Sequence, residues 1–179
     1  FMNTSITKSF HVPQPVAAVW ANLTDPEKVV VCVPGAKLTE KVDENNYKGG
    51  VELKFGPVKA SYGGLITFIE RNEATRTMEL KGAGTDNKGK GGADMVMKGK
   101  LTEKDGGTNV DVTMDISITG MLAQFGSRMI QDVSNQVFDQ FVSNFKAQLS
   151  GGEVDSKLKT GSLVGAAIKS LFGGKKSDS

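Results

Sequence analysis

The chain has 179 residues, 38% of them hydrophobic and 23% charged, which suits one domain plus a tail and excludes a disordered or collagen-like chain. One histidine, one cysteine and one tryptophan exclude a histidine-built metal cluster, a cysteine-rich iron–sulfur site and an internal disulfide, and a single cysteine fits a reducing compartment. The net charge of +2 is concentrated in residues 153–179, where five lysines face three acids; residues 1–152 are neutral, which argues against a nucleic-acid-binding surface on the domain.

Phe1 precedes Met2 and is set aside. Met2-Asn3-Thr4-Ser5 shows neither the basic nor the apolar region of a secretory signal, so none is expected. Residues 4–12 alternate, with Ile6, Phe10 and Val12 on one side, and predict a strand. Pro13 and Pro15 end it, and Pro15 suits the first turn of a short helix through Trp20 and Leu23. Thr24-Asp25-Pro26 caps a second short helix, around 27–31. Val33-Pro34-Gly35 is a loop.

A long β region follows. Strands are expected at 36–42, 47–55, 58–70, 75–82, 88–104 and 109–119. Val51, Leu53 and Phe55 share a face, as do Val58, Ala60, Tyr62, Ile66 and Phe68, then Met78 and Leu80. Ala93, Met95, Met97 and Leu101 alternate with Asp94, Lys98 and Lys100. Val110, Val112, Met114, Ile116 and Ile118 alternate with Asp111, Thr113 and Asp115. Period two with one apolar face marks an antiparallel sheet with one dry side. Residues 71–74 and Asp105-Gly106-Gly107 read as turns.

The period then changes. Leu122, Phe125, Met129, Val133, Val137, Phe141 and Phe145 recur every three or four residues, which predicts one amphipathic helix over 121–149, about 40 Å long. Strand, two short helices, six strands and a long helix make an α+β chain. A curved antiparallel sheet of about seven strands wrapped around the C-terminal helix accounts for that order, a helix-grip arrangement with room for a cavity between sheet and helix. The domain spans 2–150. Residues 151–161 read as a linker and 162–176 as an amphipathic segment.

Few residues suggest chemistry. A serine triad would need His11, which sits in a strand with no serine elbow near it. Cys32 has no activating base beside it and reads as a small core residue. Gly84 through Gly91 nearly spells a phosphate loop, but Gly91 replaces the required Ser or Thr and a strand follows, so a nucleotide site is rejected. Arg128 falls off the main stripe of the helix and reads as a solvated position. The methionines carry more information. Methionine is a poor strand former whose flexible thioether adapts to irregular contents. Met78, Met95, Met97, Met114 and Met129, with Phe55, Tyr62, Phe68, Leu80, Phe125, Val133 and Phe141, are the expected lining of a deformable apolar cavity; ordinary core filling is the alternative. The Tyr62 phenol is available to hydrogen-bond a ligand oxygen.

Four segments in order carry a family resemblance: Pro34-Gly35 after the paired helices, Gly56-Pro57-Val58-Lys59, Gly89-Lys90-Gly91-Gly92-Ala93, and Leu122-Ala123-Gln124-Phe125-Gly126-Ser127-Arg128. Over about residues 3–148 the chain resembles the CoxG family of carbon monoxide dehydrogenase subunits, within the START-like (SRPBCC) superfamily that includes the birch pollen allergen. The resemblance implies a lipid-sized cavity and an accessory role beside a molybdenum-containing carbon monoxide dehydrogenase, including its attachment to the membrane. It transfers no catalytic residue.

The tail lies beyond the shared region. Leu163, Val164, Ile168, Leu171 and Phe172 form an apolar stripe flanked by Lys169, Lys175 and Lys176, the pattern of a segment lying on an anionic bilayer. Docking on the chain's own domain or on a partner is the alternative. The expected setting is therefore the cytoplasm, peripheral to the inner face of the cell membrane. A carbon monoxide dehydrogenase needs an electron acceptor, and the lipid-soluble one in a bacterial membrane is an isoprenoid quinone. Menaquinone or ubiquinone is the expected guest, with no covalent cofactor and no metal. A pure adaptor with a filled core and a cyclase-like or hydrolase-like enzyme are the competing readings.

Overall fold

A computed structural model of the chain describes residues 2–55 and 57–152, without the side chains of Phe55 and Val58. The membrane-segment residues Leu163, Val164, Ile168, Lys169, Leu171, Phe172, Lys175 and Lys176 lie outside the described residues. Seven strands, β1 (Met2–Val12), β2 (Ala36–Lys41), β3 (Asn46–Phe55), β4 (Val58–Asn72), β5 (Thr77–Asp86), β6 (Gly92–Lys104) and β7 (Gly107–Ile118), form one antiparallel sheet in the order β1-β7-β6-β5-β4-β3-β2. Two short helices, α1 (Val16–Leu23) and α2 (Pro26–Val30), join β1 to β2, and α3 (Gly126–Leu149) closes the domain. This is the helix-grip arrangement that the order of periodicities predicts.

Two boundaries differ from the sequence reading. The last helix does not start at 121. Met121–Phe125 form a separate 3-10 helix, and α3 has 24 residues, about 36 Å. Gly120 and Gly126, with φ of +83° and +80°, bracket the short segment; that backbone region suits glycine and interrupts an α-helix. Phe125 therefore stands on the 3-10 helix, 38% exposed, and not on the apolar stripe of α3. The second difference is in the glycine-rich stretch. β5 runs on to Asp86 and β6 starts at Gly92, so the phosphate-loop look-alike is half strand and half turn. Side-chain alternation cannot be read through Gly82 and Gly84.

Those glycines have a structural role. Gly49 pairs with Gly64, Gly64 with Gly84, and Gly84 with Ala93; on the other face Gly50 pairs with Gly63, Gly63 with Thr85, and Thr85 with Gly92. A line nearly free of side chains thus crosses β3 to β6, and neighbouring backbones come very close along it. A Cβ on Gly64 would collide with the Ala83 carbonyl oxygen, and one on Gly49 would stand 2.5 Å from the Lys37 carbonyl oxygen. Glycine is required where backbone approaches backbone this closely in a curled sheet.

The inner face of the sheet packs in two separate cores. One, at the C-terminal end of α3, joins Phe10, Val12, Val19, Trp20, Cys32, Leu101, Val110, Phe138 and Phe145. Phe10 meets Phe138 and Phe145 edge-on at 6.1 and 6.2 Å. Buried polar groups fasten the helix to the loop after α2: Asn144 Nδ2 donates to the Cys32 carbonyl oxygen at 3.0 Å, and Gln140 Nε2 donates to Asn144 Oδ1 at 3.1 Å. The other core, at the N-terminal end of α3, joins Ala60, Tyr62, Ile118, Leu122, Ile130 and Val133. His11 is exposed and its Nε2 lies 2.9 Å from the Lys104 carbonyl oxygen, as an edge residue and not a catalytic one.

This packing can be tested at two residues. Gly64→Ala forces a backbone shift across β4 and β5 and should cost about 3 kcal/mol of stability, read from the denaturant midpoint; a shift within error would contradict the close approach. Burial pushes the Cys32 thiol up to about 11. An unfolded thiol ionises at about 8.5. The neutral thiol therefore favours the fold fully below that value, and the contribution is lost as pH rises through about 11. Dithionitrobenzoate should leave native Cys32 untouched at pH 8 and react fully in denaturant, and the wild-type unfolding midpoint should fall relative to Cys32→Ala only above about pH 8.5.

Candidate functional site

α3 packs in both cores, Ile130, Val133 and Val137 in one and Phe138, Phe141 and Phe145 in the other. Its backbone approaches β1 and stays farther from β4, β5 and β6. At the N-terminal side Gln131 Nε2 donates to Thr4 Oγ1 at 2.6 Å, tying helix to β1. The inner face of the central strands lies between the two cores, and this is where the methionines fall. Leu80 pairs with Met97, Met97 with Met114, and Met95 with Ile116, so these side chains form adjacent rows on one face. Among the described residues, Leu80, Met95, Met97 and Met114 pack into neither core and are half-buried although they sit mid-sheet. Their partial exposure leaves apolar surface uncovered on that face. The belt contains no acid or base.

The other predicted lining residues flank this belt. Met78 and Phe141 pack against the C-terminal core, where Phe141 stacks on Phe145 at 5.7 Å. Met129 and Val133 belong to the N-terminal core, as does Tyr62. Phe68 is buried at the rim: it meets Tyr47 edge-on at 6.1 Å and carries the Arg71 guanidinium over its ring at 4.3 Å. Arg71 Nη2 also donates to the Glu44 carbonyl oxygen at 2.6 Å, which fixes the β2–β3 turn against β4. Phe55 lies on β3, and its side chain is outside the described residues.

Sequence reasoning missed Ile66 as a lining residue. Ile66 pairs with Gly82, and a Cβ built on Gly82 would stand 3.2 Å from Ile66 Cδ1 and 3.1 Å from Met95 Cε. Ile66 and Met95 thus close over the gap that a glycine leaves. The signal was present as the period-two position of Ile66, but its meaning depended on a cross-strand glycine that only register reveals.

Tyr62 differs from its neighbours. The residue is 9% exposed, and its hydroxyl is buried with no hydrogen-bond partner among the described residues. Burial, and secondarily the carboxylate of Asp86, its cross-strand neighbour on β5, raises the phenol above its usual value, so it is a protonated donor at neutral pH. The outer face of the sheet has a different feature. An open trough of about 850 Å³ crosses the glycine line there, lined by Lys37, Lys48, Gly63, Leu65, Thr85 and Asp94 among others. Its lining mixes polar and apolar groups, Tyr62 among them, and most of it lies on the face away from α3.

Known proteins share this geometry. A conserved protein from Geobacillus kaustophilus has the same fold with a TM-score of 0.74 at 24% identity, over 84% of this chain and 96% of that one. The ZhuI aromatase/cyclase from Streptomyces sp. R1128 gives 0.61 at 12% identity, over 84% and 99% of the two chains. Ara h 8.0201 gives 0.56 at 16% identity, again over 84% and 99%. No curated protein matches the sequence. The family model for CoxG, described as a subunit of carbon monoxide dehydrogenase, matches residues 9–150, which take in β2 to β7, the end of β1 and the whole of α3, so the chain belongs to the CoxG family.

Proposed function

We propose that this chain is an accessory carrier, not an enzyme, which takes an isoprenoid quinone (menaquinone or ubiquinone) from the membrane and presents it to a molybdenum-containing carbon monoxide dehydrogenase. The observation that supports the reading is the thioether-rich belt of Leu80, Met95, Met97 and Met114, which is half-buried and packs in neither core, on strands that the α3 backbone approaches less closely than it does β1. Flexible methionines fit a long, unevenly shaped apolar tail better than branched residues do. The family supplies the partner: its name is that of a carbon monoxide dehydrogenase component. Carbon monoxide oxidation releases two electrons and two protons, and a quinone accepts both pairs to become a quinol. The absence of acids and bases from the belt favours a carrier over the cyclase chemistry of the structural neighbour.

No helix among the described residues is long and apolar enough to cross a membrane. The reading therefore gives membrane contact to the segment 162–176, with its apolar stripe and flanking lysines. Each lysine near an anionic surface contributes about 1 kcal/mol, enough for reversible attachment.

Two measurements test this. Organic extracts of the purified full-length protein, analysed by mass spectrometry, should contain a quinone. Met97→Trp and Met114→Trp, which fill the belt, should abolish loading while leaving the circular dichroism spectrum unchanged. Extracts without quinone, and no uptake on reconstitution, would leave only the adaptor role. Separately, removing residues 153–179 should abolish sedimentation with phosphatidylglycerol-containing vesicles, and raised salt should weaken binding of the full chain; sedimentation unaffected by the deletion would sink the membrane reading.

A further inference from the structure

A buried hydroxyl without a partner is costly, and native structures seldom keep one. Tyr62 is such a group: the residue is 9% exposed and its hydroxyl reaches no acceptor among the described residues. Its ring packs in the core on the N-terminal half of α3, four residues along β4 from Ile66, whose row leads through Gly82 to Met95. Phenylalanine would fill the same position without the penalty. The hydroxyl therefore points to an acceptor that arrives from outside the described residues, here assigned to the guest.

The cover over this core is built to move. Leu122, on the 3-10 helix Met121–Phe125, belongs to the same cluster as Tyr62. Gly120 and Gly126 flank that helix with φ near +80°; a Cβ on Gly126 would meet nothing within 4 Å, whereas one on Gly120 would collide with the Lys90 carbonyl oxygen, so the open end is at Gly126 and the packed end at Gly120. Five residues between two glycines can swing outward without unwinding α3. The Met121 N–H donates to the Lys90 carbonyl oxygen at 3.0 Å, so one turn-to-turn hydrogen bond helps to hold the segment shut.

We propose that the Tyr62 hydroxyl, uncovered when the 3-10 helix lifts, donates a hydrogen bond to a carbonyl oxygen on the guest's head, so that the guest lies head toward the N-terminal end of α3 with its tail along the methionine belt. The proposal rests on the carrier reading above and adds an orientation and a chemical preference. A guest bearing a carbonyl is favoured over a plain hydrocarbon of the same size, because only the former satisfies the phenol.

The test separates the two claims. N-phenyl-1-naphthylamine, which has no carbonyl, reports on the apolar space by its fluorescence, and decylubiquinone competes for it. Full-length Tyr62→Phe should bind the naphthylamine as the wild type does, while decylubiquinone displaces it about tenfold less effectively, the effect of one lost hydrogen bond. The carbonyl stretch of bound decylubiquinone should sit at lower infrared frequency in the wild type than in the variant. Ligand-free Tyr62→Phe should unfold at or above the wild-type temperature, since an unmet hydroxyl has been removed. Equal displacement in both proteins would overturn the role of Tyr62 and leave the carrier reading intact. A lower unfolding temperature for the ligand-free variant would show that the hydroxyl serves the fold, and would overturn the proposal too. Failure of the wild type to bind either probe would overturn the carrier reading itself.

Discussion

The structure depends on how α3 is held: by two separate cores, one on each half of the helix. At the C-terminal end the grip is aromatic and polar together. Phe10, Phe138 and Phe145 interlock, and Asn144 ties the helix to the Cys32 carbonyl oxygen. At the N-terminal end Ile130 and Val133 press on Ala60, Tyr62 and Ile118. Each end is a small, dry core of the kind that supports a domain by itself. A third core in the middle would add stability and leave no room for a guest. The sequence places thioethers there in place of branched or aromatic side chains, and the helix backbone keeps its distance from β4 to β6.

The sheet completes the arrangement. A flat sheet would let the helix lie down along its whole length. The glycine line from Gly49 to Ala93 lets the strands curl, because backbones approach there more closely than any Cβ permits. Curvature holds the belt away from the helix axis, and Arg71 pins the far corner by gripping both Phe68 and the β2–β3 turn. Stability thus sits at the rim and the two ends, while the centre is left to adaptable side chains.

Most of the architecture was legible in the sequence because side-chain periodicity is a direct trace of which face is dry. Met97 and Met114 alternate with charged or polar residues, and Val133, Val137, Phe141 and Phe145 return at helical spacing. The failures fall where there is no side chain to read or where backbone conformation overrides pattern. β5 passes through Gly82 and Gly84 unmarked by any alternation. Phe125 continues the helical spacing in sequence, yet the positive φ of Gly126 separates it from α3. For the site, residue types pointed to the belt, but which methionines stay outside the two cores depends on three-dimensional packing. The sequence placed Ile66 on the apolar face and singled out the Tyr62 phenol, but the closing of Ile66 over Gly82 and the lack of a partner for the hydroxyl among the described residues depend on what stands, or fails to stand, across from each.

The glycine line has a mechanical consequence. Side chains that interdigitate across neighbouring strands stiffen a sheet against flexing, and along this line there are almost none on either face. Flexing there strains only the ladder hydrogen bonds. The sheet therefore resembles two stiff panels joined along a score, and its softest deformation is the one that changes the angle between them. That angle sets the distance from the panels to the helix, so the interior of the protein can widen or narrow while both anchoring cores stay packed.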